Sequence, residues 1–278
     1  MKVSFIIVNY NVTALLRNCL NSIVRFANVP HEIIVIDNNS PDDSWRQLQA
    51  EFPAVKFFAN EKNEGFSKAN NKAAAKAQGD FLYFLNPDTE LKDFYLAELI
   101  DFAESTPNFG CLGLRMHDKD GKFLPESKRS VPDLVYSFKK LFLNSKGKKS
   151  QKNYYRNDIP LTAIAEVEVI TGANLLVRRS VFQEVGGFDE AYFMYGEDID
   201  LCYTLILNGY RNFYYGKHEL LHHKGQSTEK NQKYLDRFYG AMAIFVNKYY
   251  RKNPLEFLVM SAGLRIRKLY DMLVIRLH

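Results

Sequence analysis

The sequence predicts an α/β fold: a mixed, mostly parallel sheet with helices on both faces, followed by C-terminal helices. Three observations predict it. Strand-like and helix-like segments alternate through the first half of the chain. The strand-like runs are continuously apolar, as in strands covered on both faces. The chain has 278 residues, 46% hydrophobic and 25% charged, which is enough apolar material for a sizeable core. No internal repeat or low-complexity stretch interrupts this pattern.

Taken in order, Val3–Val8 is the first apolar run. Thr13 is placed to cap a helix on which Leu15, Leu16, Cys19, Leu20, Ile23 and Val24 recur at helical spacing. Ile33–Ile36 reads as the second strand, Trp45 and Leu48 as a short helix, and Val55–Phe58 as the third strand. Ser67 is placed to cap an Ala-rich helix ending at Gly79. Phe81–Leu85 is the fourth strand, and Asp93 would cap the next helix. The middle is less regular, and a Lys-rich stretch around 139–158 reads as a loop. Strands are expected again at Glu166–Ile170, Leu175–Val177 and Arg211–Tyr215, with helices at Ser180–Val185 and Asp198–Leu207. From Gln232 the pattern is helical, broken at Asn253-Pro254. This divides the chain into a domain at 1–230, with halves at 1–110 and 111–230, and a helical extension at 231–278.

Composition removes several classes. Three widely spaced cysteines, Cys19, Cys111 and Cys202, form no CxxC pair, so buried reduced thiols are expected rather than disulfides or a zinc site. The N-terminal apolar run is too short for a secretory signal, and a cytoplasmic protein is expected. The net charge of +5 is uneven. One basic cluster runs from Lys139 to Arg156 and another includes Arg265, Arg267, Lys268 and Arg276. Such clusters suit phosphates, nucleic acid or anionic lipid, or are simply solvated. The stretch Leu255–Leu277 carries too many charges to span a membrane. It is either a basic amphipathic helix at a membrane surface or a helix packed on the preceding domain.

The chemistry collects after the strands. Asn9, Tyr10 and Asn11 follow the first, Asp37 to Ser40 the second, and Asn86, Pro87, Asp88 and Thr89 the fourth. Ligands of open α/β sheets bind outside the carboxyl ends of the strands. Any one of these residues could be there only for a turn; three strand ends together predict a site. No GxGxxG or GxxxxGK[ST] is present to cradle phosphates, which disfavours a dinucleotide fold or a P-loop. Asp88 is instead placed to hold a hard divalent cation bridging a diphosphate.

Seven segments, in order, carry a resemblance: SFIIVNYN (4–11), EIIVIDNNS (32–40), NEGFSKANN (63–71), FLNPDTEL (84–91), ITGANLLVRRSVFQEVGGFDE (170–190), GEDIDLC (196–202) and HHKGQS (222–227). The chain resembles family 2 glycosyltransferases of the GT-A fold, particularly the bacterial rhamnosyltransferase-like branch. The resemblance implies transfer of a sugar from a nucleoside-diphosphate sugar to an acceptor hydroxyl, with Mn2+ or Mg2+. It implies that Asp37 contacts the base, that Asn9 lines the nucleotide pocket, and that Gly65, Phe66 and Asn70 lie near the nucleotide sugar. Asn86-Pro87-Asp88 would stand for the family's DxD, with Asn replacing the first acid, and Glu90 is a poorer ligand. His222 would join Asp88 at the metal through an HxxGxS pattern, with His223 as the adjacent alternative. Gly172 and Asn174 would lie below the donor sugar. Glu197 and Asp198 would face the acceptor, with Asp198 as general base in an inverting displacement. Apart from the resemblance, Asp198 could cap its helix while Glu197 and Asp200 stay solvated.

Two rivals remain at this point. His218-Glu219-Leu220-Leu221-His222 is a literal HExxH, which would serve a zinc peptidase if it lay on a helix. A degenerate, non-catalytic nucleotide- or glycan-binding module is the other. The expected partners are a nucleotide-sugar donor and a cell-surface glycan or lipid-linked acceptor at the inner membrane face. Peripheral membrane contact would run through the basic C-terminal helix, and no nucleic acid is expected.

Overall fold

The structure is a computed structural model that describes residues 1–131, 154–223 and 232–276. The Lys-rich cluster, apart from Arg156, lies outside the described residues, as do Gly225 and Ser227 of the HxxGxS pattern. The first half runs β1 (Val3–Asn9), α1 (Thr13–Phe26), β2 (His31–Asp37), α2 (Gln47–Glu51, after a 3-10 turn at Ser44–Arg46), β3 (Lys56–Ala59), α3 (Gly65–Ala74) and β4 (Phe81–Leu85). These four strands pair in parallel in the order β3-β2-β1-β4. Successive side chains of β1 feed opposite faces: Phe5 and Ile7 join the core under α1, while Ile6 joins the core under α3. That division is why the strand had to be apolar throughout.

The second half adds β5 (Thr89–Leu91), α4 (Leu96–Ser105), β6 (Phe109–His117), β7 (Ile164–Glu166), β8 (Asn174–Arg178), α5 (Arg179–Glu184), α6 (Glu197–Leu207) and β9 (Arg211–His222). It makes the sheet mixed: β8 runs antiparallel to β4 and β6, β6 runs parallel to β9, and β5 and β7 pair antiparallel with the two ends of β9. Strands β5 and β6 have no counterpart in the sequence reading. The strand expected at Glu166–Ile170 ends early, and its continuation meets Arg129 only in an isolated bridge at Val169. Two helices close the chain, α7 (Gln232–Tyr250) and α8 (Pro254–Arg276). Phe245 of α7 packs into the same core as Ile6 and Ile199, and α8 packs on α7.

Three expected caps are corrected. Helix α1 begins after Val12 with no side-chain cap, because the Thr13 hydroxyl bonds Ser44 Oγ at 2.7 Å. Ser67 lies inside α3, which already starts at Gly65, and is fully buried. Asp93 takes the Phe94 N–H at 2.7 Å, and α4 starts only at Leu96. Trp45 is 3% exposed and belongs to the core. The cysteines are free and buried, with Cys111 Sγ 3.8 Å from Cys202 Sγ.

Candidate active site

Strands β1 and β2 end side by side, Asn9 opposite Asp37. Asn9 Nδ2 donates to Asp37 Oδ1 at 2.7 Å, and Asp37 also accepts from the Ser40 N–H and hydroxyl at 2.9 and 2.6 Å. Asp37 thus fixes the loop after β2, while Asn9 Oδ1 is buried with no protein partner. An unpartnered buried acceptor is costly unless something fills it. Asn38, one of the strand-end residues, ties this loop to the next: its amide donates to Asn63 Oδ1 and the Gly65 carbonyl and accepts from Asn60 and the Glu64 N–H.

Gly65 opens α3 at φ +81°, and a Cβ there would stand 2.3 Å from the Phe193 carbonyl oxygen. Glycine is therefore required twice over, by conformation and by space. The neighbouring Phe66 N–H donates to that same carbonyl at 2.7 Å, and Asn70 Nδ2 donates back to the Phe66 carbonyl at 3.0 Å. These bonds hold the Phe66 ring over Gly172, whose Cβ would meet it at 3.3 Å.

The turn from Thr171 to Asn174 joins the two sides of the site. The Asn86 N–H donates to the Ala173 carbonyl at 3.2 Å, and the Gly172 N–H donates to Asp198 Oδ2 at 3.3 Å. Asn174 is spent on support: fully buried, it accepts from Tyr83 and donates to the Leu114 carbonyl. It buttresses the turn rather than offering its amide to a ligand.

Beyond Asn86 the backbone turns, with its carbonyl accepting from Thr89, and delivers Asp88 beside the end of β9. Asp88 Oδ1 lies 3.3 Å from His222 Nε2, the two side chains are 8% and 10% exposed, and His222 Nδ1 is buried without a partner. His223 turns instead to Glu90, at 2.7 Å, so His222 is the histidine that faces Asp88. Among the described residues no three His, Cys, Asp or Glu side chains converge to form a metal cage. One carboxylate and one imidazole fit a divalent cation whose remaining positions come from a diphosphate and water.

Helix α6 opens after Gly196 at φ +84°, and its first turn carries Glu197, Asp198 and Asp200 against the positive end of the helix. Gly196, not Asp198, is the cap residue, and all three carboxylates are buried. Asp198 Oδ2 accepts from Arg129 Nη2 at 2.6 Å, while Oδ1 accepts the Ile199 N–H at 2.8 Å. Arg129 is a functional residue that sequence reasoning missed. Burial works against its charge, but Asp198 and Tyr154 outweigh it and hold the guanidinium firmly protonated. Beside it, burial and the neighbouring Asp198 charge push the Glu197 carboxyl up to about 8, and Glu197 Oε2 has no protein partner. Asp198 is salt-bridged to Arg129, and its neighbour Glu197 keeps its proton near neutral pH. Asp200 is held from behind by Tyr249 at 2.8 Å, Lys248 at 2.8 Å and Tyr192 at 3.2 Å.

The HExxH segment lies on β9, not on a helix. Four residues along a strand separate the two histidines by about 13 Å. His218 pairs with Glu98 at 2.7 Å while His222 faces Asp88. They share no zinc site, which removes the peptidase.

Comparison with known proteins agrees with this geometry. The chain is 30% identical over 236 residues to the N-acetylglucosaminyl-diphospho-decaprenol L-rhamnosyltransferase of Mycobacterium tuberculosis, covering 81% of this chain and 76% of the relative. It is 31% identical over 204 residues to the rhamnosyltransferase WbbL of Escherichia coli K12, covering 69% and 73%. Among solved structures, a Pyrobaculum calidifontis mannosyltransferase in complex with GDP-Man and Mn2+ superposes with TM-score 0.64 at 16% identity, covering 97% of this chain and 71% of that one. Staphylococcus aureus TarS with UDP-GlcNAc gives TM-score 0.60 at 18% identity, over 88% and 66%. These likenesses establish the GT-A fold. The family model for Glycosyl transferase family 2 matches residues 4–186, and the chain is a glycosyltransferase belonging to that family.

Proposed function

We propose that the enzyme transfers a sugar, with inversion, from a nucleoside-diphosphate sugar to a hydroxyl of a lipid-linked or cell-surface glycan at the inner face of a membrane. The observation that carries this reading is the Thr171–Asn174 turn, which bonds the Asn86 backbone on one side and the Asp198 carboxylate on the other. In this reading the turn would join the diphosphate side of one reaction to its acceptor side. Asn9 and Asp37 border the nucleoside, Gly65, Phe66 and Asn70 shape the pocket wall, and Gly172 lets the donor sugar approach the backbone.

Asp88 and His222 would hold Mn2+ or Mg2+ together with the diphosphate, and Asn86 would reach the metal's water. A divalent cation there neutralises charge developing on the leaving diphosphate. Asp198 takes the proton of the acceptor hydroxyl as that oxygen bonds the anomeric carbon. The bond from that carbon to the diphosphate oxygen breaks on the opposite face, and the nucleoside diphosphate departs. Arg129 and the Gly172 N–H fix the Asp198 carboxylate in place, and protonated Glu197 offers a hydrogen-bond donor to a sugar hydroxyl. The rhamnosyltransferases among the relatives support a deoxyhexose donor and a lipid-linked acceptor.

The test is a thermal-shift panel of UDP, dTDP, GDP, ADP and CMP, each with and without Mn2+. A Mn2+-dependent rise with one diphosphate is expected, and Asp198→Asn should keep that rise while losing sugar transfer. No rise with any nucleotide, or near-normal turnover by Asp198→Asn, would overturn the assignment.

A further inference from the structure

Helix α8 leaves a long apolar stripe uncovered on its outer side. Leu255, Leu258, Ile266, Leu269, Tyr270 and Leu273 are each between 52% and 72% exposed. Spacings of three and four residues put them, with Val259 and Ala262, on one stripe of the helix. The opposite side faces the protein and mixes half-buried Phe257, Met260 and Leu264 with paired polar groups. Asp271 accepts from Tyr239 and Arg267, and Lys268 pairs with Asp236 of α7 at 2.7 Å. From Leu255 to Leu273 the stripe runs about 27 Å along the helix. Scattered exposed leucines are ordinary on a protein surface, but a continuous stripe of this length is not.

Charge decides what covers it. Residues 251–276 carry six basic side chains (Arg251, Lys252, Arg265, Arg267, Lys268 and Arg276) against two acidic ones, Glu256 and Asp271. Arg251, Lys252 and Arg265 are exposed beside the stripe, whereas Asp271 is engaged with Tyr239 and Arg267 on the opposite side. A second copy packed about a two-fold axis would bring Arg265, near the middle of the stripe, against its own image, while Glu256 lies nine residues, about 13 Å, away along the helix. No described helix is long and apolar enough to cross a membrane. An apolar stripe bordered by cations fits the boundary between acyl chains and anionic headgroups.

We infer that the exposed face of α8 docks the enzyme in the plane of an anionic lipid bilayer, Leu258 and Leu269 entering the acyl boundary and Arg251, Lys252 and Arg265 meeting the headgroups. The inference deepens the membrane-face part of the proposed function, and its test uses neither donor nor acceptor. Full-length protein is sedimented with vesicles of phosphatidylglycerol or of phosphatidylcholine. Binding to phosphatidylglycerol is expected, weakening with salt and much lower on phosphatidylcholine. Leu258→Asp with Leu269→Asp should lower vesicle partition about tenfold or more, leaving the melting temperature and the nucleotide thermal shift unchanged. Unbound wild type, or equal binding by the variant, overturns the docking face. So does a wild-type dimer in sedimentation velocity that the variant converts to monomer, because a second copy then covers the stripe. A lost nucleotide shift with intact vesicle binding would instead count against the transferase assignment alone.

Discussion

Replacing Arg129 with Met should damage the enzyme in two separable ways. The guanidinium lies 2.6 Å from Asp198 Oδ2, and the two side chains are only 11% and 12% exposed. Without it, Asp198 keeps the Gly172 N–H at 3.3 Å and the Ile199 N–H at 2.8 Å, which leaves a buried charge short of its counter-ion. Breaking such a pair costs about 3–5 kcal/mol, because the remaining charge stays desolvated. Removing both charges, by Arg129→Met with Asp198→Asn, should cost at least about 2 kcal/mol less than the sum of the single losses. Urea unfolding of the four proteins in the cycle measures this. Donor binding should persist in Arg129→Met, while kcat falls by about 100-fold as Asp198 loses its orientation. Arg129→Lys restores the charge but not the rigid fork and should recover stability more than rate. Losses that add within about 0.5 kcal/mol, or an unchanged kcat, would refute the coupling.

Other perturbations follow from the same geometry. Glu197 is raised by burial and by Asp198 from 4.5 to about 8, so the fold retains a proton that the unfolded chain gives up. That contribution is complete below the unfolded value and is lost as pH climbs through the folded one, by up to about 1.4 kcal/mol per pH unit. Glu197→Gln should flatten the decline in urea midpoints across this window, and an unchanged slope would refute it. Gly65→Ala should cost about 2 kcal/mol or more from strain plus collision with Phe193. Gly121→Ala, at φ +77° with nothing within 4 Å, should cost only about 1 kcal/mol; equal melting losses would contradict the close approach. Asp88→Ala should abolish the Mn2+ dependence of the nucleotide thermal shift, and an unaltered dependence would move the cation elsewhere.

What the sequence made legible follows from how locally each feature is encoded. Strands β1, β2 and β4 announce themselves as apolar runs because both faces are covered. Each is followed at once by its polar strand-end residues, so Asn9, Asp37 and Asp88 could be picked out in one dimension. The later strands hide: Phe109–His117 interleaves two glycines with an arginine and a histidine, because β6 depends on its neighbours β8 and β9 rather than on its own pattern. The misplaced caps share a cause, since the Thr13 hydroxyl finds a tertiary partner in Ser44 and Gly65 lets α3 begin before Ser67. Arg129 was invisible for a different reason. It sits 69 positions from Asp198 and reaches it through a bridge to Val169, a pairing that no spacing reveals. The HExxH shows the converse: a motif legible in letters fails when its backbone is extended.

The grip on Asp200 sets a dimension of the machine. Lys248 and Tyr249 belong to α7, on which α8 rests, and Asp200 stands two residues from Asp198 on the same helix. Asp198, the residues that grip Asp200 and the exposed stripe are therefore joined through consecutive packed helices. With the stripe seated in a bilayer as inferred above, Asp198 would stand at a set height above the lipid, and only a hydroxyl carried to that height would meet it. Acceptors with one sugar too few or too many would be turned away by distance rather than by any contact in the pocket.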